Sequence, residues 1–240
     1  WLRGAEPRLT GRDWAGIALL GFIGYYLSSM LDFLGLQYVG AGVGRLIQFL
    51  YPTLVLLLSF LFLGKKPSVG ELGALALTYA GIALVVSNQL DASAEGRQYA
   101  LGALLIFGCA LTYAIYLVAG SQLVQRVGSM RFTAYTMVVS TAPIVVQWLL
   151  LEPLSSLELP AAVWWYAAIM ATASTVLPVF LVAEALRRIG ANQFALIGAA
   201  GPVSVAVTSA LGLDEPFTWL QAAGGVLVIS GVVLVSLKRS

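Results

Sequence analysis

Three charged side chains lie well inside stretches that otherwise read as hydrocarbon: Asp32, Arg45 and Glu184. Each costs about 2.5–3.5 kcal/mol at the centre of a membrane helix on insertion scales, so each needs a reason. Asp32 and Arg45 fall in "LDFLGLQYVGAGVGRLIQFLYP" (31–52), on either side of a glycine-rich turn centred near Gly40. If both flanks are helical, a rise of about 1.5 Å per residue puts the two charges within roughly 4–5 Å of each other in depth. An arginine side chain covers that difference. Such a pair can line the outer part of a polar route, with Arg45 drawing a carboxylate or phosphate or Asp32 holding a cation or proton. It can equally be a structural ion pair, with Arg45 reaching out to lipid headgroups. Glu184 reads as structural, because Arg188 follows it four residues later in the favourable order for a helical pair.

Uncharged polar residues extend the set. Tyr25, Tyr26 and Ser29 sit mid-run ahead of Asp32, and Gln48 and Tyr51 follow Arg45 so that Arg45, Gln48 and Pro52 share one helical face. Thr112, Tyr113 and Tyr116 lie in a later run, Thr172, Ser174 and Thr175 precede Pro178, and Asn192, Gln193 and Ser204 follow. The expected substrate-binding set is Tyr25, Tyr26, Ser29, Asp32, Arg45, Gln48, Tyr51, Thr112, Tyr113, Tyr116 and Thr175. Tyrosines with one polar tip suit a mostly apolar ligand cavity. The competing role for each is interhelical hydrogen bonding, worth under about 1 kcal/mol on average. Pro52, Pro143, Pro178 and Pro202 free backbone carbonyls and permit kinks.

Other chemistries lack their residues. There is no histidine, which removes the commonest general base and metal ligand. The single cysteine, Cys109, has no internal partner. No metal-ligand cluster, G-x-S-x-G elbow, paired catalytic carboxylates, P-loop or selectivity-filter sequence is present. "GAGVG" (40–44) follows no strand and has no acidic ribose position at the right distance, so it is not a dinucleotide loop. It and "GAAG" (198–201) are small faces that let helices approach closely.

These residues must be held by membrane helices. The chain is 60% hydrophobic and 10% charged, against about 45–50% and about 25% for soluble domains. Eight apolar runs approach the ~20 residues a bilayer core needs: 15–36, 43–64, 70–87, 99–120, 132–151, 162–184, 192–213 and 217–237. Alternating the breaks between inside and outside puts Arg3, Arg8, Arg12, Lys65, Lys66, Arg126, Arg131, Arg187, Arg188, Lys238 and Arg239 inside, and only Arg97 outside. That places both ends in the cytoplasm. Trp14, Trp148, Trp164, Trp165 and Trp219 fall at span ends, where an aromatic belt belongs. No signal peptide is visible and no initiator Met is present, so the chain is expected to be a fragment, a processed form or a shortened version. The near-neutral charge implies no nucleic-acid partner.

The sequence repeats itself. "GLQYVGAGVGRLIQFLYP" (35–52) aligns without a gap over "ALRRIGANQFALIGAAGP" (185–202). "YAGIALVVS" (79–87) resembles "ISGVVLVS" (229–236) at nearly the same spacing. The partner runs 15–36 and 162–184 are the first and sixth, five places apart, and so cross in opposite directions; the repeats must be inverted, as in many secondary transporters. The runs 99–120 and 132–151 have no partners within the chain. A native protein of ten helices, five plus five, with the first two missing, is the expectation. It divides into a cytoplasmic segment 1–12, the last three helices of the first repeat 13–88, an extracytoplasmic linker 89–98, a second five-helix repeat 99–237 and a tail 238–240.

In this the chain resembles the EamA-type exporters of the drug/metabolite transporter superfamily. The pattern stands at Leu36 to Ala41, Pro52, Lys65 to Pro67 and Gly73 to Gly81, and again at Leu186 to Ala191, Pro202, Asp214 to Pro216 and Gly224 to Gly231. Lys65 and Lys66 stand where many members carry a Glu, so no role passes to an acid in that break. The resemblance implies an all-α integral membrane transporter of the inner membrane, a monomer or homodimer. It implies export of a small metabolite or drug-like compound by alternating access, with possible coupling to a proton or other ion and no cofactor. A membrane-embedded enzyme and a channel are the alternatives.

Overall fold

Every regular element among the described residues is helical, as a backbone must be where lipid offers it no hydrogen-bond partner. The computed structural model describes residues 9–39, 41–86 and 97–201, with isolated helical positions beyond at 219, 223, 226, 227, 229, 230 and 233. The helices are α1 (Gly11–Gly21), α2 (Ser28–Gly35), α3 (Ala41–Gln48), α4 (Tyr51–Leu63), α5 (Val69–Val86), α6 (Arg97–Val127), α7 (Ser129–Leu151), α8 (Ala161–Ile169) and α9 (Leu177–Gly198). Wider π segments join α1 to α2 (Phe22–Leu27) and α8 to α9 (Met170–Val176).

Four stretches among the described residues are long and apolar enough to cross a bilayer: Gly11–Gly35, Gln98–Val127, Ser129–Leu151 and Ala161–Gly198. The chain is a membrane protein, and these match the runs expected at 15–36, 99–120, 132–151 and 162–184. The run expected at 43–64 differs. Instead of one helix kinked at Pro52 it is two, because Pro52 sits in the first turn of α4, where its missing N–H costs nothing. Residues 89–96 of the expected linker, most of the run at 217–237, and Ser204, Pro202 and Asp214 to Pro216 lie outside the described residues, whereas Arg97 and Gln98, expected in the linker, open α6.

Local signals set the ends. Thr10 and Asp13 form a capping box at α1. Ser68 with Glu71 makes the equivalent pair at α5. Ser68 N donates to Glu71 Oε2 at 2.7 Å, and Glu71 N donates to Ser68 Oγ at 3.2 Å. Gly64 closes α4 at φ +65°. Its N–H donates to Phe60 O and that of Lys65 to Ser59 O, the usual closure for a left-handed glycine. Gly190, at φ +75°, breaks α9 inside the polar stretch "RRIGA".

The chain divides into two compact units: 1–27 with 119–190, and 28–118 with 191–240. In the first, α1 packs on α7. Trp14 and Tyr135 rings meet at 4.8 Å, and a Cβ at Gly21 would stand 2.7 Å from the Thr136 carbonyl oxygen, so only glycine allows this approach. Ile17, Val124, Phe132 and Leu186 are among its fully buried apolar side chains. In the second, Leu56, Ala74 and Leu196 form a buried cluster, with Leu75 against it. Trp164, Trp165, Tyr166 and Met170 point outward, as lipid-facing or interfacial side chains do.

Candidate functional site

Most of the sequence-expected polar set gathers in the second unit. Its centre is a short hydrogen-bonded chain that starts from the last turn of α3. Arg45 Nη1 donates to Gln48 Oε1 at 3.2 Å. This is the i, i+3 relation that their shared face requires. The same amide donates from Nε2 to the thiol of Cys109 on α6 at 3.6 Å. Ser28, on α2, brings its hydroxyl to within 3.3 Å of the Cys109 sulfur and donates to the Cys109 carbonyl at 3.4 Å. Asp32 lies one turn after Ser28 on α2 and is half-buried. Among the described residues no direct ion pair joins Asp32 to Arg45, but the Arg45 charge acts on the Asp32 carboxylate. The arrangement is therefore a polar relay with opposite charges, not a closed salt bridge.

A tyrosine group lies in the same unit. The Tyr51 and Tyr113 rings meet edge-on at 5.5 Å, and Tyr113 stacks with Tyr116 at 6.2 Å. Both are favoured geometries for aromatic pairs. Tyr51 donates its hydroxyl to Ala195 O at 3.1 Å, so it anchors the far part of α9. Thr112 folds its hydroxyl back onto the carbonyls of Gly108 and Cys109 at 3.0 and 2.9 Å. Its donor is spent on its own helix.

Other expected residues fall elsewhere. Tyr26 lies in the first unit, where it donates to Gln147 Oε1 at 2.8 Å and packs on Phe22. Tyr25 is half-buried in the same π segment. Ser29 is exposed, because the π turn rotates the following helix so that Ser28 faces inward. Thr175, with Thr172 and Ser174, is exposed in the second π segment. Asn192 donates to Glu71 Oε1 at 3.4 Å. Glu184 takes Arg187, Arg188 and the Ser129 hydroxyl, a fuller version of the expected pair.

Sequence reasoning missed Cys109 and Ser28. Both look apolar or incidental in an apolar run. The available signal was the helical register of Ser28 one turn before Asp32.

The backbone breaks recur with the sequence repeat. α3 ends in a turn at Phe49 and Leu50, with Phe49 N on Arg45 O and Leu50 N on Ile47 O. α9 ends in a turn at Ala199 and Ala200, with Ala199 N on Ala195 O and Ala200 N on Ile197 O. The donors and acceptors of the second turn stand at the repeat-equivalent positions of the first. The π segments at 22–27 and 170–176 recur at nearly the same spacing.

Comparison with known proteins gives the same direction. The sequence model of the EamA-like transporter family matches residues 1–87 and 100–237. The chain is 30% identical over 226 residues to the uncharacterized transporter YcbK of Bacillus subtilis, covering 91% of this chain and 72% of that protein. It is 29% identical to the uncharacterized transporter YyaM of the same organism, over 91% and 72% of the two chains. It is 28% identical to a probable terminal-alkyne amino-acid exporter of Streptantibioticus cattleyicolor, over 95% and 75%. A solved crystal structure shares the fold with a TM-score of 0.78 at 18% identity, covering 96% of this chain and 78% of that one.

Proposed function

The chain belongs to the EamA-like transporter family, and on that premise we propose that it exports a small polar or zwitterionic metabolite by alternating access between two inverted repeats. It is a transporter and not an enzyme. The observation that carries the mechanism is the pair of matched backbone breaks, at Phe49–Leu50 and at Ala199–Ala200, set on one sequence repeat. Breaks at equivalent places give both halves the same bending points, which a rocking mechanism uses.

The relay of Arg45, Gln48, Cys109 and Ser28, with Asp32 one turn away, is the proposed binding site. Arg45 offers a donor fork to a carboxylate or phosphate, and Asp32 offers an acceptor to an ammonium. Tyr51, Tyr113 and Tyr116 supply an aromatic wall for an apolar body. Opposite charges without a direct bond suit a zwitterion, and the amino-acid exporter among the relatives supports placing amino acids first in a substrate panel. The protein is proposed to sit in the inner membrane with residues 1–12 and 238–240 in the cytoplasm, from the basic residues in alternate breaks.

Counterflow in proteoliposomes holding the full-length protein tests this reading. Saturable exchange of an amino-acid-like zwitterion is the expected result, lowered at least about tenfold, or about 1.4 kcal/mol, by Arg45→Ala and by Asp32→Asn. Exchange that ignores both substitutions removes the site. No exchange of any small solute removes the transport mechanism.

A further inference from the structure

The last part of α9 is a short helical rod, residues 191–198, with a break at either end. Gly190 stands before it at φ +75°, a conformation that favours glycine. The turn at Ala199–Ala200 closes it. In the sequence repeat its twin is α3, Ala41–Gln48, which ends in the matching turn at Phe49–Leu50 and carries Arg45 and Gln48.

Three contacts seat 191–198 on α4 and α5. Asn192 Nδ2 donates to Glu71 Oε1 at 3.4 Å. The Tyr51 hydroxyl donates to Ala195 O at 3.1 Å, and the Ala199 N–H of the closing turn meets the same carbonyl at 3.1 Å. Leu196 is buried with Leu56 and Ala74. Positions 192, 195 and 196 lie at i, i+3 and i+4, one face of a helix. The acceptor on α5 is itself fixed, because Glu71 Oε2 takes the Ser68 N–H at 2.7 Å in the helix cap.

The polar part of this seat is one-sided. Asn192 corresponds to Gly42 in the repeat, and Tyr51 corresponds to Gly201. Neither glycine has a side-chain donor, so neither bond has a counterpart in the other half. In an inverted repeat, contacts that both halves can make trade places between the two end states. Contacts that only one half can make favour one state over the other.

We propose that 191–198 is a cytoplasmic strap. Seated on α4 and α5 it closes the cytoplasmic side, and it lifts between Gly190 and the Ala199–Ala200 turn to open it. The basic residues that place it there are Lys65 and Lys66, shortly before α5, and Arg187 and Arg188, shortly before Gly190. The motion rests on the transport reading above; the seat does not. Lifting uncovers an amide, a carboxylate, a phenol and a carbonyl, all of which water can satisfy, so opening costs only the modest net worth of their hydrogen bonds.

The test uses the full-length protein and has two arms. In the first, an impermeant maleimide reads a cysteine placed in the seat by Ala74→Cys or, should that variant misfold, by Leu196→Cys. Both positions are 1% exposed. Adding Asn192→Ala should speed labelling there at least about threefold, within the net worth of one hydrogen bond. Glu71 is left alone because its loss would also uncap α5. The gain should appear in inverted vesicles and not in intact cells, with the rate at Cys109 unchanged as an internal reference. A gain in intact cells, or in neither, overturns the proposal. In the second arm, Glu71→Cys with Asn192→Cys is bridged by a short bifunctional methanethiosulfonate, since a direct disulfide needs Cα atoms within about 7 Å. Counterflow of a radiolabelled amino-acid mixture in proteoliposomes should stop on bridging and return when a reductant removes the bridge. A bridge that forms and leaves counterflow unchanged, or one that does not form, overturns the strap. If the unbridged protein exchanges no amino acid, the transport reading falls, and the labelling arm alone decides whether the strap lifts.

Discussion

The side-chain amide of Gln48 joins the Arg45 guanidinium to the Cys109 thiol, accepting from Arg45 Nη1 at 3.2 Å and donating to Cys109 Sγ at 3.6 Å. Arginine has no acceptor and sulfur is a weak one, so the oxygen must face Arg45 and the nitrogen the thiol. Gln48→Glu would turn this acceptor into a carboxylate held by Arg45, and an anionic substrate group would have to compete with it. Counterflow is expected to fall at least about tenfold, equivalent to about 1.4 kcal/mol, while the unfolding temperature stays the same or rises. A variant that transports at the wild-type rate would show that the relay does not touch substrate.

Cys109 is only 3% exposed, between Ser28 and Gln48. A buried thiol reacts slowly whatever its acidity, because the reagent must first reach it. Hydrophilic maleimide should label it slowly, and Gln48→Ala or Ser28→Ala should speed labelling by opening one wall. A substrate bound to the relay should slow it again. Intact-mass measurement against time follows all of this on one residue, since the chain has one cysteine. Fast labelling of the wild type would place the thiol at a surface.

The broad architecture was legible because lipid leaves a backbone few options. Long apolar runs with few charges become helices, and four of those runs match the four stretches among the described residues that are long and apolar enough to cross a bilayer. The site was legible where spacing was helical: Arg45 and Gln48 share a face in sequence and a hydrogen bond in structure. It was hidden where the helix departs from its usual turn. The π segment at Phe22–Leu27 adds a fraction of a turn, so Ser28 faces inward and Ser29, the expected site residue, faces outward. Pro52 misled for a related reason. A proline in an apolar run suggests a kink, but here it opens α4 after a turn, which the sequence does not mark in advance.

Tyr51 and Gly198 are coupled. A Cβ on Gly198 would collide with the Tyr51 hydroxyl, and that same hydroxyl donates to Ala195 O at 3.1 Å. Tyr51→Phe should cost about 0.5–1.5 kcal/mol for the lost hydrogen bond. Gly198→Ala should cost about 1–3 kcal/mol by overpacking. The double variant should cost less than the sum, because the phenyl ring leaves room for the methyl group. Unfolding in a mild detergent measures the three changes, and strict additivity would show that the two residues do not meet.

Gly21 and Gly11 sit at opposite ends of α1 and should respond oppositely to alanine. At Gly21 the new methyl group would meet backbone atoms of Thr136, with the carbonyl oxygen at 2.7 Å and Cα at 3.2 Å, and backbone cannot turn aside. A loss of about 1–3 kcal/mol is expected. At Gly11 nothing lies within 4 Å, and alanine in a helix gains up to about 1 kcal/mol over glycine. Thermal unfolding of the two variants separates a packing glycine from a permissive one. A neutral Gly21→Ala would mean that α1 and α7 are not in close contact.

Tyr38 and Arg188 occupy equivalent places in the sequence repeat, and both are exposed. If the repeats are inverted, equivalent positions must face opposite sides of the membrane. The break that holds Tyr38 carries no basic residue, whereas the one that holds Arg188 carries two, which assigns the first to the outside and the second to the cytoplasm. In a Cys109→Ala background, Tyr38→Cys should react with an impermeant maleimide in intact cells. Arg188→Cys should react only in inverted vesicles, as should Lys65→Cys, since an even number of expected spans separates Lys65 from Arg188. Labelling of Tyr38→Cys and Arg188→Cys from the same side would make the repeat a parallel one. The matched breaks at Phe49–Leu50 and Ala199–Ala200 would then bend both halves in one direction, and a rocking exchange between two faces would lose its structural basis.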